Sequence, residues 1–173
     1  MKKVYVSWQD VQRQVQEICR QMLHDKWTPD YVVGITRGGL TAANLISQYL
    51  DCPMETIKVS LRSGSEPEHN LWMAEDAYNG KNILIVDDIN DTGATVNWIK
   101  EDWEDFHPSK PEPWLTIWGN SVKIATLYDN EVSKNDIPIS YCAETINKVS
   151  DPQWVVFPWE EWWRRWNPQE EHQ

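Results

Sequence analysis

Hydrophobic and polar positions alternate along this chain in two periods. Val11, Val15, Ile18, Met22 and Leu23 recur at helical spacing behind Ser7, with Asp10 three residues on, so a capped amphipathic helix is predicted up to about His24, ending before Pro29. Short, largely apolar runs stand at residues 31–35, 83–86 and 122–128, with weaker ones around Ile57 and Val59 and at 137–143. Such runs read as strands buried on both faces of a parallel sheet. Between them, residues 41–50 carry Ala42, Leu45, Ile46 and Leu50, and residues from Val96 to about Phe106 form a second helical stretch. Strand–helix alternation of this kind predicts an α/β fold: a mostly parallel central sheet flanked by helices, with ligands at the carboxyl ends of the strands.

Two stretches break the periods. Residues 62–79 hold Ser63, Gly64, Ser65, Pro67 and Asn70, and read as a long loop, either a lid or an ordinary mobile connection. Residues 107–120 hold Pro108, Pro111 and Pro113 ahead of Trp114, Leu115, Ile117 and Trp118, and read as an insertion forming an oligomer contact or a surface hairpin. A length of 173 residues predicts one domain over residues 1–173.

Composition narrows the function. The net charge of −11 argues against non-specific binding to nucleic acid or to anionic membrane. No apolar run is long enough to span a bilayer, and the start of the chain lacks the apolar stretch of a secretion signal. Three widely spaced cysteines, Cys19, Cys52 and Cys142, fit neither a disulfide framework nor a zinc site, which points to a cytoplasmic protein. Twelve tryptophans are unusual and leave room for packing, subunit contacts and stacking on a base.

The chemistry concentrates in Asp87-Asp88-Ile89-Asn90-Asp91-Thr92-Gly93-Ala94-Thr95, directly after the apolar strand at 83–86. A strand that ends in two carboxylates ends at a cleft, because burying unpaired charge is costly. The small-residue turn before the helix offers backbone N–H groups at the positive end of the helix dipole, an arrangement suited to phosphate. Asp-Asp strand ends also occur in phosphoacceptor domains and in haloacid-dehalogenase-like phosphatases. Upstream, Thr36-Arg37-Gly38-Gly39-Leu40 follows the first buried strand. Two glycines there allow close backbone approach, and Arg37 adds a forked cation for phosphate oxygens, although a plain tight turn reads the same way.

The 83–95 stretch resembles the phosphoribosyl-pyrophosphate-binding motif of type I phosphoribosyltransferases: hydrophobic strand, two acidic residues, two further residues, then Asp-Thr-Gly-small-Thr. The Arg37-Gly38-Gly39 turn and the segment Trp154-Val155-Val156-Phe157-Pro158-Trp159-Glu160 resemble the pyrophosphate loop and the C-terminal hood of the purine-specific branch, the xanthine–guanine and archaeal purine enzymes. The resemblance implies the type I fold, with a flexible lid within residues 62–79 and a small hood at 144–163. It implies transfer of phosphoribose from 5-phosphoribosyl 1-pyrophosphate to a purine, with Mg²⁺ as cofactor and a homo-oligomer, dimer or tetramer, as the assembly. The alternative is a non-catalytic nucleotide-binding regulator of the same fold.

Carried over residue by residue, the resemblance gives Asp91, Thr92, Gly93, Ala94 and Thr95 to the 5′-phosphate. It gives Asp87 and Asp88 to the ribose hydroxyls and Mg²⁺, and Arg37, Gly38 and Gly39 to the pyrophosphate. Asp91 is the candidate catalytic residue, contacting or deprotonating N7 of the base. Trp154 would stack on the purine and Val155 would bond its edge through the backbone; a packed C-terminal edge is the competing reading of these aromatics. Arg62 or His69 would reach the pyrophosphate from the lid. Where the purine-specific enzymes carry a base-reading lysine beyond the fifth strand, this chain has Asn130. An amide both donates and accepts, so Asn130 fits either a 6-oxo or a 6-amino group and leaves the base open.

Overall fold

A computed structural model describes residues 1–59, 61 and 66–166, the side chains of Arg165 and Trp166 excepted. The strands are β1 (Lys2–Tyr5), β2 (Tyr31–Thr36), β3 (Met54–Lys58), β4 (Ile83–Asn90), β5 (Val122–Asn130), β6 (Tyr141–Ile146) and β7 (Gln153–Val156). The helices are α1 (Trp8–Asp25), α2 (Leu40–Leu50), α3 (Leu71–Tyr78), α4 (Ala94–Glu104) and α5 (Trp162–Trp166).

Five strands form one sheet in the order β3-β2-β4-β5-β6, every neighbour parallel. Successive residues of β4 alternate across it: Leu84 and Val86 enter one core cluster, Ile83 and Ile85 the other. The first cluster packs Val11, Val15, Ile18 and Met22 of α1 and Ala42, Ala43 and Ile46 of α2. The second packs Met73, Ala74 and Ala77 of α3 and Val96, Ile99 and Trp103 of α4. Each fully buried aliphatic side chain contributes about 1.5–3 kcal/mol, so these layers hold the sheet between them. Because α2 leaves β2 for one face and α4 leaves β4 for the other, the loops after these adjacent strands diverge. A crevice opens at their carboxyl ends, where the strand order reverses.

The predicted N-terminal cap is present: Asp10 N–H donates to Ser7 Oγ at 3.0 Å and Ser7 N–H to Asp10 Oδ2 at 2.9 Å. Two expectations need revision. The aperiodic stretch at 62–79 is not all loop, since Leu71–Tyr78 form α3, capped by the buried Asn70 and seated on the second cluster. Its apolar spacing is too short to register as a helical period. The stretch at 107–120 is not a hairpin. It folds into a 3₁₀ turn, Glu112–Thr116, whose Trp114 is buried, with Trp114 stacked on Trp118 at 5.8 Å. A further strand escaped the sequence reading: β1 pairs in parallel with β7, Lys3 opposite Trp154 and Val4 opposite Val155, so the first residues of the chain hold the hood in place.

Candidate functional site

The crevice contains a cavity of about 380 Å³ over the end of β4. Asp87, Asp88, Asp91, Thr92, Gly93, Ala94 and Thr95 line it from one side, and Trp154, Val155, Phe157 and Glu160 line it from the hood. Most of the residues singled out from the sequence therefore meet in one place, although 59 positions separate Thr95 from Trp154 along the chain.

The floor is carboxylate. Asp88 N–H donates to Asp87 Oδ1 at 2.9 Å, and Ile89 N–H to Asp88 Oδ1 at 2.8 Å. Burial, and then the charge of Asp88, hold the Asp87 carboxyl well above the usual carboxylate range. Burial likewise lifts Asp88 to about 6, against the opposing hydrogen bond from Asp87 and with help from the charge of Glu160. A pair of this kind gains from a cation, and its hard oxygens suit Mg²⁺. No group of three or more His, Cys, Asp or Glu side chains gathers into a metal cage among the described residues, so a cation here would complete its shell with substrate oxygens and water.

The phosphate-type turn is built as its small residues require. Gly93 caps α4 at φ +89°, and a Cβ there would lie 2.7 Å from Asn135 N, so only glycine fits. The first intrahelical bond is Asn97 N–H to Gly93 O, at 3.0 Å. The N–H groups of Thr95 and Val96 thus have no acceptor within the helix and face the positive end of its dipole. Thr92 O accepts from Lys134 N at 3.0 Å, Lys134 O accepts from Asn97 Nδ2 at 2.8 Å, and Asp136 N donates to Asn97 Oδ1 at 2.7 Å. The segment after β5 therefore buttresses the turn from behind.

Arg37, Gly38 and Gly39 do not line the cavity but border it. The turn lies directly over β4: a Cβ on Gly38 would stand 2.3 Å from Asp88 Oδ2, and one on Gly39 would stand 2.2 Å from Val86 O. The Thr36–Arg37 peptide is cis, and the Arg37 side chain is exposed. Arg62 falls outside the described residues. His69 does not turn to the cavity; its Nδ1 pairs with Asp102 of α4 at 2.5 Å and its ring lies 5.6 Å from Trp98.

On the hood, Trp154 remains 43% exposed over the cavity. The packed aromatic edge is made instead by Phe157 and Trp159, whose rings stack at 5.0 Å. Glu160 Oε2 accepts from Phe157 N–H at 2.9 Å and closes the hood turn.

Asn130 takes a different place from the one expected. It is buried and absent from the cavity lining: Nδ2 donates to Asp91 O at 2.8 Å, and Oδ1 accepts from Lys148 N–H at 3.1 Å. With both ends of the amide engaged, Asn130 braces the site and does not face a base. The residue the sequence reading missed is Lys148, in the turn between β6 and β7. Its Nζ enters the cavity, 2.9 Å from Asp91 Oδ2 and 5.6 Å from the Trp154 ring centroid. No local motif marks Lys148; Asn130 fixes it from another strand. Thr126, opposite Asp87 on β5, was likewise unread and also lines the cavity.

This architecture has close counterparts among known proteins. A family profile for the phosphoribosyl transferase domain matches residues 3–164, nearly the whole chain. The xanthine-guanine phosphoribosyltransferase of Cereibacter sphaeroides is 29% identical over 169 residues, covering 92% of this chain and 87% of that protein. That of Nitratidesulfovibrio vulgaris is 26% identical over 163 residues, with 92% and 86% covered. Among solved structures, a purine phosphoribosyltransferase from Pyrococcus horikoshii superposes with a TM-score of 0.66 at 28% identity, over 93% of this chain and 96% of that one. With the acidic strand end, the Gly93 turn and the aromatic hood all in one crevice, the chain belongs to the phosphoribosyltransferase family.

Proposed function

We propose that this protein transfers phosphoribose from 5-phosphoribosyl 1-pyrophosphate to a purine base, giving a nucleoside 5′-monophosphate and pyrophosphate in purine salvage. The observation that carries this reading is the single cavity shared by Asp87, Asp88, the 91–95 turn and the half-exposed Trp154. It offers a sugar site, a phosphate site and a base platform in contact. The names of the relatives, which act on xanthine, guanine or purines, support the choice of acceptor.

In the reaction a base nitrogen bonds to C1 of the ribose while the C1–O bond breaks, and its electron pair leaves with pyrophosphate. The amides at the start of α4 and the hydroxyls of Thr92 and Thr95 hold the 5′-phosphate. Asp87 and Asp88 hold the ribose hydroxyls and are the residues that fit Mg²⁺, which when bound offsets charge on the departing pyrophosphate. Arg37 and the Gly38 amide border the leaving-group end, while the Gly39 N–H donates to Ile35 O at 2.8 Å and holds the turn. Trp154 stacks on the base and the Val155 backbone bonds its edge; base–aromatic stacking is worth about 1–3 kcal/mol. Asp91 accepts the proton lost from the base at N7. Fixing both reactants in one crevice is itself a large part of such catalysis.

Among the described residues no helix is long and apolar enough to cross a membrane, and the three cysteines are free, which supports a cytoplasmic site of action. Exposed Tyr5, Trp8, Trp162 and Trp163 support self-association into a dimer or tetramer. The test is pyrophosphate release from 5-phosphoribosyl 1-pyrophosphate and Mg²⁺ with hypoxanthine, guanine, xanthine or adenine. Release with at least one base is expected; tight donor binding without release for any base would leave only the regulator alternative.

A further inference from the structure

The cavity is strongly acidic. Its described lining includes Asp87, Asp88, Asp91 and Glu160, and a single cation, Lys148. That cation is held with care. Asn130 bonds the Lys148 backbone with one end of its amide and the Asp91 backbone with the other, so one buried side chain from β5 sets both members of the Lys148–Asp91 pair. The pair is largely sheltered, with side-chain exposures of 17% and 22%. Surface ion pairs are seldom fixed in this way, because ordering two long side chains in water gains little.

Position decides the use of the charge. The ammonium stands 5.6 Å from the centroid of Trp154, the proposed base platform, and lines the same cavity as Asp87 and Asp88. An ammonium has three donors and no acceptor. Of the two common purine edges, the 6-oxo edge presents the acceptor O6, whereas the 6-amino edge presents an N–H₂ donor in its place. A donor-only cation at that edge meets the first and opposes the second.

We propose that Lys148 is the specificity-determining residue of this site: it donates to the exocyclic oxygen of a 6-oxopurine stacked on Trp154, with Asn130 as its positioning residue. Asp91 pairs with the ammonium, and a base with an oxo acceptor at its edge takes up part of that contact. The cation that the strand end after β5 lacks is thus supplied from the turn between β6 and β7, and Asn130 links the two places. The inference rests on the proposed transfer reaction and names its acceptor class.

The test compares guanine with 2-aminopurine, which lacks the 6-oxo group and with it the N1–H, in the unmodified protein, in Lys148→Met and in Lys148→Arg, reading kcat/KM for each base and KM for 5-phosphoribosyl 1-pyrophosphate. A charge-assisted hydrogen bond of this type predicts a loss of roughly tenfold to a hundredfold for guanine in Lys148→Met, with 2-aminopurine and the donor KM little changed. Lys148→Arg should recover part of the guanine rate. The unmodified protein alone should prefer guanine to 2-aminopurine by a similar factor, a result that needs no variant to fold. Equal loss for both bases, a rise confined to the donor KM, or an unmodified protein indifferent to the 6-oxo group would each overturn the assignment. Absence of pyrophosphate release from the unmodified protein with every base is a separate result, and it strikes the transfer reaction itself.

Discussion

Two neighbouring glycines should fail in opposite ways. A methyl group on Gly39 would sit 2.2 Å from Val86 O, 2.9 Å from Asp87 Cα and 2.9 Å from Ile35 O, all backbone of the two central strands and all inside the 3.0 Å that Cβ atoms keep. Relief requires β2 and β4 to part, where Val32–Ile35 and Leu84–Val86 are fully or nearly fully buried. Overpacking of that kind costs about 1–3 kcal/mol where side chains can yield, and more where only backbone can. We therefore expect Gly39→Ala to lose about 3 kcal/mol or more, a large share of the roughly 5–15 kcal/mol that holds a domain folded. The atoms nearest a methyl group on Gly38 all belong to the Asp88 carboxyl, the closest at 2.3 Å being Oδ2, and that side chain can rotate away. The structural loss is then the Ile89 N–H bond to Asp88 Oδ1, about 1 kcal/mol. On the proposed function the functional loss is larger, because a displaced Asp88 would no longer serve the sugar. Urea unfolding and pyrophosphate release separate the two: Gly38→Ala should fold and turn over at least tenfold more slowly, while Gly39→Ala should fail to fold stably. A stable Gly39→Ala, or a fully active Gly38→Ala, would refute the placement of the turn over β4.

Other outcomes follow from the same geometry. Asp87→Ala combined with Asp88→Ala should abolish turnover while leaving the fold intact or firmer by urea unfolding, since two half-buried carboxyls of raised pKa are removed. Ser7→Ala breaks the α1 cap and should lower unfolding free energy by about 1 kcal/mol in a urea titration, with no effect on activity. Hydrogen bonding to Asp102 raises the His69 pKa above its ordinary value of 6.5. The contact is therefore fully present below pH 6.5 and is lost as pH rises through the raised value; Asp102→Asn should lower the His69 midpoint in an NMR titration. Asn130→Ala should cost about 1–3 kcal/mol of stability by leaving the Asp91 carbonyl and the Lys148 N–H unpaired, and should lower guanine turnover more than donor binding.

The acidic strand end and the turn after it were legible in the sequence because they are local. One continuous stretch supplies the buried strand, the paired carboxylates at its end and the small residues that the tight turn at Gly93 demands, and each step follows from burial or backbone geometry. The sheet was legible for the same reason, since runs buried on both faces are short, apolar and regularly spaced. The misses share a cause as well. Helix α3 spans eight residues, two turns, too few for a helical period to stand out beside Asn70 and Gly80. Strand β1 carries Lys2, Lys3 and Tyr5 on an exposed edge, and it is a strand only because β7 lies beside it.

The acceptor half belongs to that second kind. Trp154 owes its position to Lys3 and Val4 at the other end of the chain, and Lys148 owes its position to an amide on β5 that sequence alone assigned to the base. A reading by alignment expects a function at a position: where a charged residue is missing, the function is doubted. The structure keeps the two features apart. The side chain at the strand end is buried and fixes two backbones, and a cation stands in a turn 18 residues later that those contacts hold against the ring. Charge at a site is conferred by whichever loop the fold brings there. A site assembled from separate loops is therefore the part of an enzyme where acceptor choice can change without disturbing the contiguous motif that binds the donor.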